Sequence, residues 1–153
     1  TYIPSHISNK QDLLKKSLHY YAHWLEKVPQ RFQRSFRICI EMAMQNQHQY
    51  KFCCVALNKK GTLLYVLRED KTHPIQYYYA KQTQQPYKIF LHAEIATLIK
   101  SKDPYVLFVA RVDKDGNLVT SKPCPICQLA INKTLSLKHI YYTDDNKIVK
   151  LPF

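Results

Sequence analysis

His92-Ala93-Glu94 is followed, after 28 intervening residues, by Pro123-Cys124-Pro125-Ile126-Cys127. One imidazole and two thiolates make a three-ligand zinc site, and three protein ligands leave one position of a tetrahedral ion open. Hydrolysis needs such an opening: a water placed there must lose a proton to attack, and a leaving amine must gain one. Glu94, two residues past the histidine, can handle both protons. A closed structural site would need a fourth ligand, for which Cys39, Cys53, Cys54 and His73 are the available donors. That alternative leaves Glu94 without a role, and a zinc ribbon would ordinarily pair two Cys-x-x-Cys units where this chain has one.

These residues resemble the signature of the zinc-dependent cytidine deaminase-like superfamily, H-x-E followed by P-C-x-x-C. The resemblance runs over residues 32–143 and is concentrated in 90–100 and 120–130. Within the superfamily, Lys71-Thr72-His73-Pro74-Ile75-Gln76 leading to Ile89-Phe90-Leu91-His92-Ala93-Glu94 is most similar to small deaminases encoded by bacteriophages. The resemblance implies zinc held by His92, Cys124 and Cys127, with Glu94 as proton shuttle. It implies that Pro123 shapes the turn presenting the first thiolate and that the backbone around Ala93 helps hold the base. It further implies a three-layer α/β/α fold and hydrolytic deamination of cytosine to uracil. One departure stands out. Family members commonly carry an asparagine just after the second strand, a place held here by Glu69 in Arg68-Glu69-Asp70, with Asn58 or His73 as other occupants of that role.

The elements that must position these groups follow from periodicity and breakers. Leu13, Leu14, Leu18, Tyr21, Trp24 and Leu25 fall at helical spacing over 10–28, with Ser8 or Asn9 as cap and Pro29 as the stop. His19 and His23 stand four apart on that helix, but no carboxylate or thiol completes a metal set, so they read as surface or packing residues. A second helix over 32–47 places Phe32, Phe36, Cys39, Ile40 and Ala43 on one face. Segments 52–57 and 62–67 read as a hairpin across Asn58-Lys59-Lys60-Gly61. The polar stretch 68–91, marked by Pro74 and Pro86, reads as a substrate loop with a short helix over 76–81.

His92 then opens a helix to residue 100, and Cys124 opens another to 132, so two helix starts face one ion. Strands are expected over 105–112, 138–143 and 147–151. The turn Asp144-Asp145-Asn146 leaves no room for a crossover helix, so the last two strands of a mixed five-stranded sheet should be antiparallel. That ending resembles the branch of the superfamily holding free-nucleoside cytidine deaminases and several bacterial toxin-type deaminases, although most free-nucleoside members carry a cysteine where His92 stands.

The length of 153 residues suits one domain, read as a single deaminase domain over 1–153 with 1–30 as a helical extension packed on it. Without a long apolar run or a leader pattern at its start, the chain is expected to be cytoplasmic and to have no membrane partner. Cys39, Cys53 and Cys54 lie in apolar stretches and read as buried reduced thiols, the adjacent pair pointing to opposite faces of a strand.

The 23 basic against 11 acidic residues give a net charge of +12. Such a field draws polyanions, although a merely solvated basic surface would carry the same count. Tyr77, Tyr78, Tyr79 and Tyr87, interleaved with Lys71, Lys81 and Lys88, offer stacking faces beside cations, as single-stranded nucleic acid requires. Tyr77, His73 and Glu69 are therefore the expected substrate-binding residues beyond the zinc motif. The leading expectation is a cytosine deaminase acting on single-stranded or accessible DNA or RNA. The others are a deaminase of free cytidine, deoxycytidine or dCMP, and an inactive zinc-stabilised nucleic-acid-binding domain; oligomeric state is left open.

Overall fold

The structure, a computed structural model, describes residues 22–88 and 90–152. The expected cap at Ser8 or Asn9, His19 and most of the first predicted helix lie outside these residues. The described end of that helix, α1 (Ala22–Leu25), is followed by Val28, whose N–H donates to Leu25 O, and Leu25 and Val28 are both buried. Pro29 then starts α2 (Gln30–Gln45), two residues earlier than the apolar spacing alone predicts, because a proline lacks the N–H that a helix start leaves unbonded anyway. The buried stripe of α2 contains the five expected residues and adds Ser35 and Met44.

Five strands form one mixed sheet in the order β2-β1-β3-β4-β5. β1 (Lys51–Leu57) and β2 (Leu63–Leu67) make the expected hairpin, with Gly61 at φ 89°, a left-handed conformation that a side chain would strain. β3 (Val106–Val112) pairs with the other edge of β1, also antiparallel, and β4 (His139–Asp144) runs parallel to β3. β5 (Lys147–Lys150) returns antiparallel to β4 across Asp145 and Asn146, as the short connection requires.

Helices cover both faces of this sheet. Along β1 and β3 the side chains alternate between two cores, as strand geometry dictates. Cys53, Val55, Val106, Phe108 and Ala110 join α2 on one face, whereas Cys54, Ala56, Leu107 and Val109 join α4 (Ala93–Lys100) and α5 (Pro125–Asn132) on the other. Cys53 and Cys54 thus point to opposite faces, and all five cysteines are free.

The stretch between β2 and α4 is more ordered than a substrate loop. It contains α3 (Pro74–Gln82), which begins at Pro74 because His73 Nδ1 accepts the Ile75 N–H at 3.1 Å and Pro74 suits a first helical position. Its two ends are tied together by a bridge between Thr72 and Phe90 and by the Leu91 N–H donating to Lys71 O at 2.6 Å. No helix among the described residues is long and apolar enough to cross a membrane.

A candidate metal centre in a cationic cavity

Two of the three candidate ligands sit at the residue just before a helix. His92 precedes α4 and Cys124 precedes α5, each with extended backbone (φ −70°, ψ 146° and φ −71°, ψ 167°), and Cys127 lies in the first turn of α5. Pro125 at the start of α5 fixes the turn between the two cysteines. α4 and α5 pack against each other, so both positive helix ends converge. His92 Nδ1 lies 3.2 Å from Cys127 Sγ and 3.4 Å from Cys124 Sγ, and the sulfurs are 3.7 Å apart. These three residues could hold a metal ion, and no fourth side chain joins the group among the described residues.

Of the residues available for a closed site, Cys39, Cys53 and His73 are placed elsewhere, and Cys54 does not join the group. Cys39 and Cys53 belong to the core on the α2 face, where Cys39 Sγ donates to Cys53 O and Phe108 O. His73 caps α3. Cys54 lies on the metal face, and its thiol is pushed up by burial and further by Glu94 nearby.

Two of the three candidate ligands are positioned by buried polar contacts far away in sequence. Gln76 on α3 is fully buried; its Oε1 accepts the His92 N–H at 3.1 Å and its Nε2 donates to Lys88 O at 3.3 Å. The segment leading to Cys124 is held by Ser121, whose Oγ donates to Val109 O at 2.9 Å or engages Thr143 Oγ1 at 2.9 Å, and accepts the Thr143 N–H at 2.9 Å. Thr143 Oγ1 in turn lies 2.9 Å from Val119 O and accepts the Arg111 N–H at 3.1 Å. Closer to the ligands, the Gln128 side-chain amide donates to Pro123 O at 2.7 Å.

The electrostatics separate the groups by role. The Cys124 thiol is held down at about 4 by hydrogen bonding with Cys127 and with His92, whereas burial pushes the Cys127 thiol up. Glu94 is 5% exposed, and burial raises its carboxyl above the ordinary carboxylate range against the opposing pull of His92. A carboxyl tuned upward beside a metal group is suited to both taking and giving a proton.

His92, Glu94 and Cys124 line a cavity of about 260 Å³ together with Tyr50, Phe52, Arg68, Arg111, Thr120, Ser121 and Lys122. Ala93 is buried between His92 and Glu94 at the start of α4, and Pro123 is buried immediately before Cys124. Glu69, His73 and Tyr77 do not line this cavity. Glu69 is exposed, pairs with Lys71 at 2.7 Å and faces a separate groove with His48, Asp70 and Lys100. Tyr77 is 49% exposed on α3.

Three of the residues that do line it come from strand ends: Tyr50 before β1, Arg68 after β2 and Arg111 near the end of β3. Their one sequence signal was position: Tyr50 and Arg68 flank predicted strands, and Arg111 is the penultimate residue of one. No family model, curated protein or solved structure matches this chain.

Proposed function

We propose that this chain is a zinc-dependent hydrolytic deaminase converting cytosine to uracil in single-stranded or otherwise accessible DNA or RNA. The observation that carries the proposal is the convergence of His92, Cys124 and Cys127 beside a buried glutamate at a cavity wall. The spacing fits zinc. Metal–sulfur bonds of about 2.3 Å and a metal–nitrogen bond of about 2.0–2.1 Å place tetrahedral ligands roughly 3.8 Å apart for two sulfurs and 3.6 Å apart for nitrogen and sulfur. The observed 3.7, 3.4 and 3.2 Å lie close to these. When bound, zinc would supply a Lewis acid that lowers the pKa of water and leaves one coordination position for it.

The chain's own residues do the rest. Glu94 takes the proton of the attacking water and delivers it to ring N3, then helps protonate the amino group leaving from C4, and ammonia departs. Burial suits Glu94 to this exchange, because a raised carboxyl pKa narrows the gap to the groups it serves. The N–H groups at the start of α4, beside Ala93, offer donors for the base.

A second reading, a deaminase of free cytidine, deoxycytidine or dCMP, is favoured by one observation: Tyr77, Tyr78 and Tyr87 are 49%, 55% and 72% exposed and lie outside the cavity lining. The test is to incubate zinc-loaded protein separately with deoxycytidine, dCMP, and single- and double-stranded oligonucleotides and to measure uracil. Uracil chiefly in the single strand supports the leading reading; uracil chiefly from the small substrates moves the assignment to the second. No uracil from any of them removes both.

A further inference from the structure

Arg68 and Arg111 line the cavity, and the deamination steps do not use them. Both guanidinium carbons lie over the ring of Tyr50, 5.4 and 5.0 Å from its centroid. Two like charges are thereby held within roughly 10 Å of each other, about one Debye length at 0.1 M salt. The ion pairs among the described residues are His48 with Asp70 and Lys71 with Glu69; neither arginine takes part in one. Arg68 Nε is buried without a hydrogen-bond partner, although a buried donor of a charged group is costly to leave unmade. Lys122 adds a third cation to the same wall, and the cavity's single acid is Glu94 at the metal end.

The placement is built in. Asn46 is buried, and its amide Nδ2 donates to Phe52 O at 2.9 Å, Tyr50 O at 3.3 Å and Arg68 O at 3.4 Å, tying the backbones that carry Tyr50 and Arg68 to one side chain. His48 stacks on Tyr50 with ring centroids 5.5 Å apart. A planar fork of donors fixed beside an aromatic face matches a phosphate geometrically as well as electrically.

We propose that Arg68 and Arg111, assisted by Lys122, form a phosphate-recognition subsite for the nucleotide whose base is presented to Glu94. The base end of this assignment rests on the deaminase reading above; the anion end rests on the unpaired guanidiniums alone. The phosphate can be the monoester of a free nucleotide or the diester of a strand, and the test separates these sources.

Zinc-loaded protein is titrated calorimetrically with deoxycytidine, dCMP and a single-stranded oligonucleotide, and uracil formation is followed with the same three. The variants are Arg68→Gln, Arg111→Gln, Lys122→Gln and, as a control, Lys102→Gln. Lys102 lines a separate cavity with Lys59, Lys60 and Lys138 at the opposite end of the sheet, so its loss changes net charge equally without touching the subsite.

Either arginine variant should lower affinity for a phosphorylated probe, relative to deoxycytidine, on the order of 10- to 100-fold. Lys122→Gln, at an exposed residue whose substitution does not endanger folding, should lower it several-fold. Selective loss with dCMP identifies a monoester site, and selective loss with the strand identifies a diester site. Equal weakening of all three probes, or an equal effect of Lys102→Gln, overturns the subsite. Phosphate preference without uracil from any substrate keeps the subsite and removes the deaminase reading; uracil formation without phosphate preference does the reverse.

Discussion

Cys39 and Cys124 lie on opposite faces of the sheet, and their surroundings give them opposite chemistry. On the α2 face Cys39 is fully buried among Phe36, Ile40 and Phe108, its Sγ donates to two backbone carbonyls, and burial pushes its thiol well up. On the other face Cys124 sits at a helix start beside His92 and Cys127, and its thiol is held at about 4. The difference teaches that a cysteine becomes suited to ligate a metal through where the helix begins and what stands beside it. Depth alone makes it a small hydrophobe.

The sharpest way to break this contrast is at Glu94. Glu94→Ala should retain metal while turnover falls by at least about 10²–10⁴-fold, the range for losing a positioned general acid or base. Uracil assays paired with zinc content check this, and a variant that keeps full turnover would sink the role of Glu94. Next in size is Cys127→Ala, which should lose bound zinc and abolish the response of thermal unfolding to chelator. In the unaltered chain, chelation should lower Tm by roughly 5–10 °C, from the linkage between metal binding and folding.

A smaller effect is expected at Thr143. Thr143→Val leaves the Arg111 N–H without its acceptor and removes one contact of the Ser121 hydroxyl, which keeps Val109 O, and should cost about 1–3 kcal/mol in urea denaturation, with weaker zinc retention because Ser121 leads into Cys124. Smallest is Cys39→Ala on the opposite face, which should cost about 1 kcal/mol for a small cavity and leave zinc content unchanged. Loss of metal in Cys39→Ala would erase the contrast between the faces.

The candidate metal group was legible because its parts are local. Pro123, Pro125 and the three-residue cysteine spacing announce a helix start, and His92 with Glu94 opens another. Strands β1 to β5 and helices α2 to α5 were likewise visible within one or two residues at most ends, since breakers and apolar period are short-range signals. What supports the ligands was not visible. Gln76 meets His92 across 16 residues and Ser121 meets Thr143 across 22, and no local pattern marks a glutamine or serine as the one that will be buried.

The arrangement of the tyrosine-rich stretch was hidden for a related reason. Composition shows that aromatics and cations alternate there, but α3 turns Gln76 and Ala80 inward and leaves Tyr77 and Tyr78 on the outer face, away from the cavity. Of the cations that do reach the cavity, Arg68 and Arg111 are isolated at strand ends, and Lys122 stands alone in the approach to Cys124.

The bond between Ser121 and Thr143 also sets an order of events during synthesis. All three ligands have been made once residue 127 is joined, yet the hydroxyl that fixes the approach to Cys124 arrives 16 residues later, on a strand that must first dock beside β3. A nascent chain halted before residue 143 would therefore display His92, Cys124 and Cys127 without the bond that fixes the approach to Cys124, and assembly of the candidate metal group becomes a late step that waits on completion of the sheet.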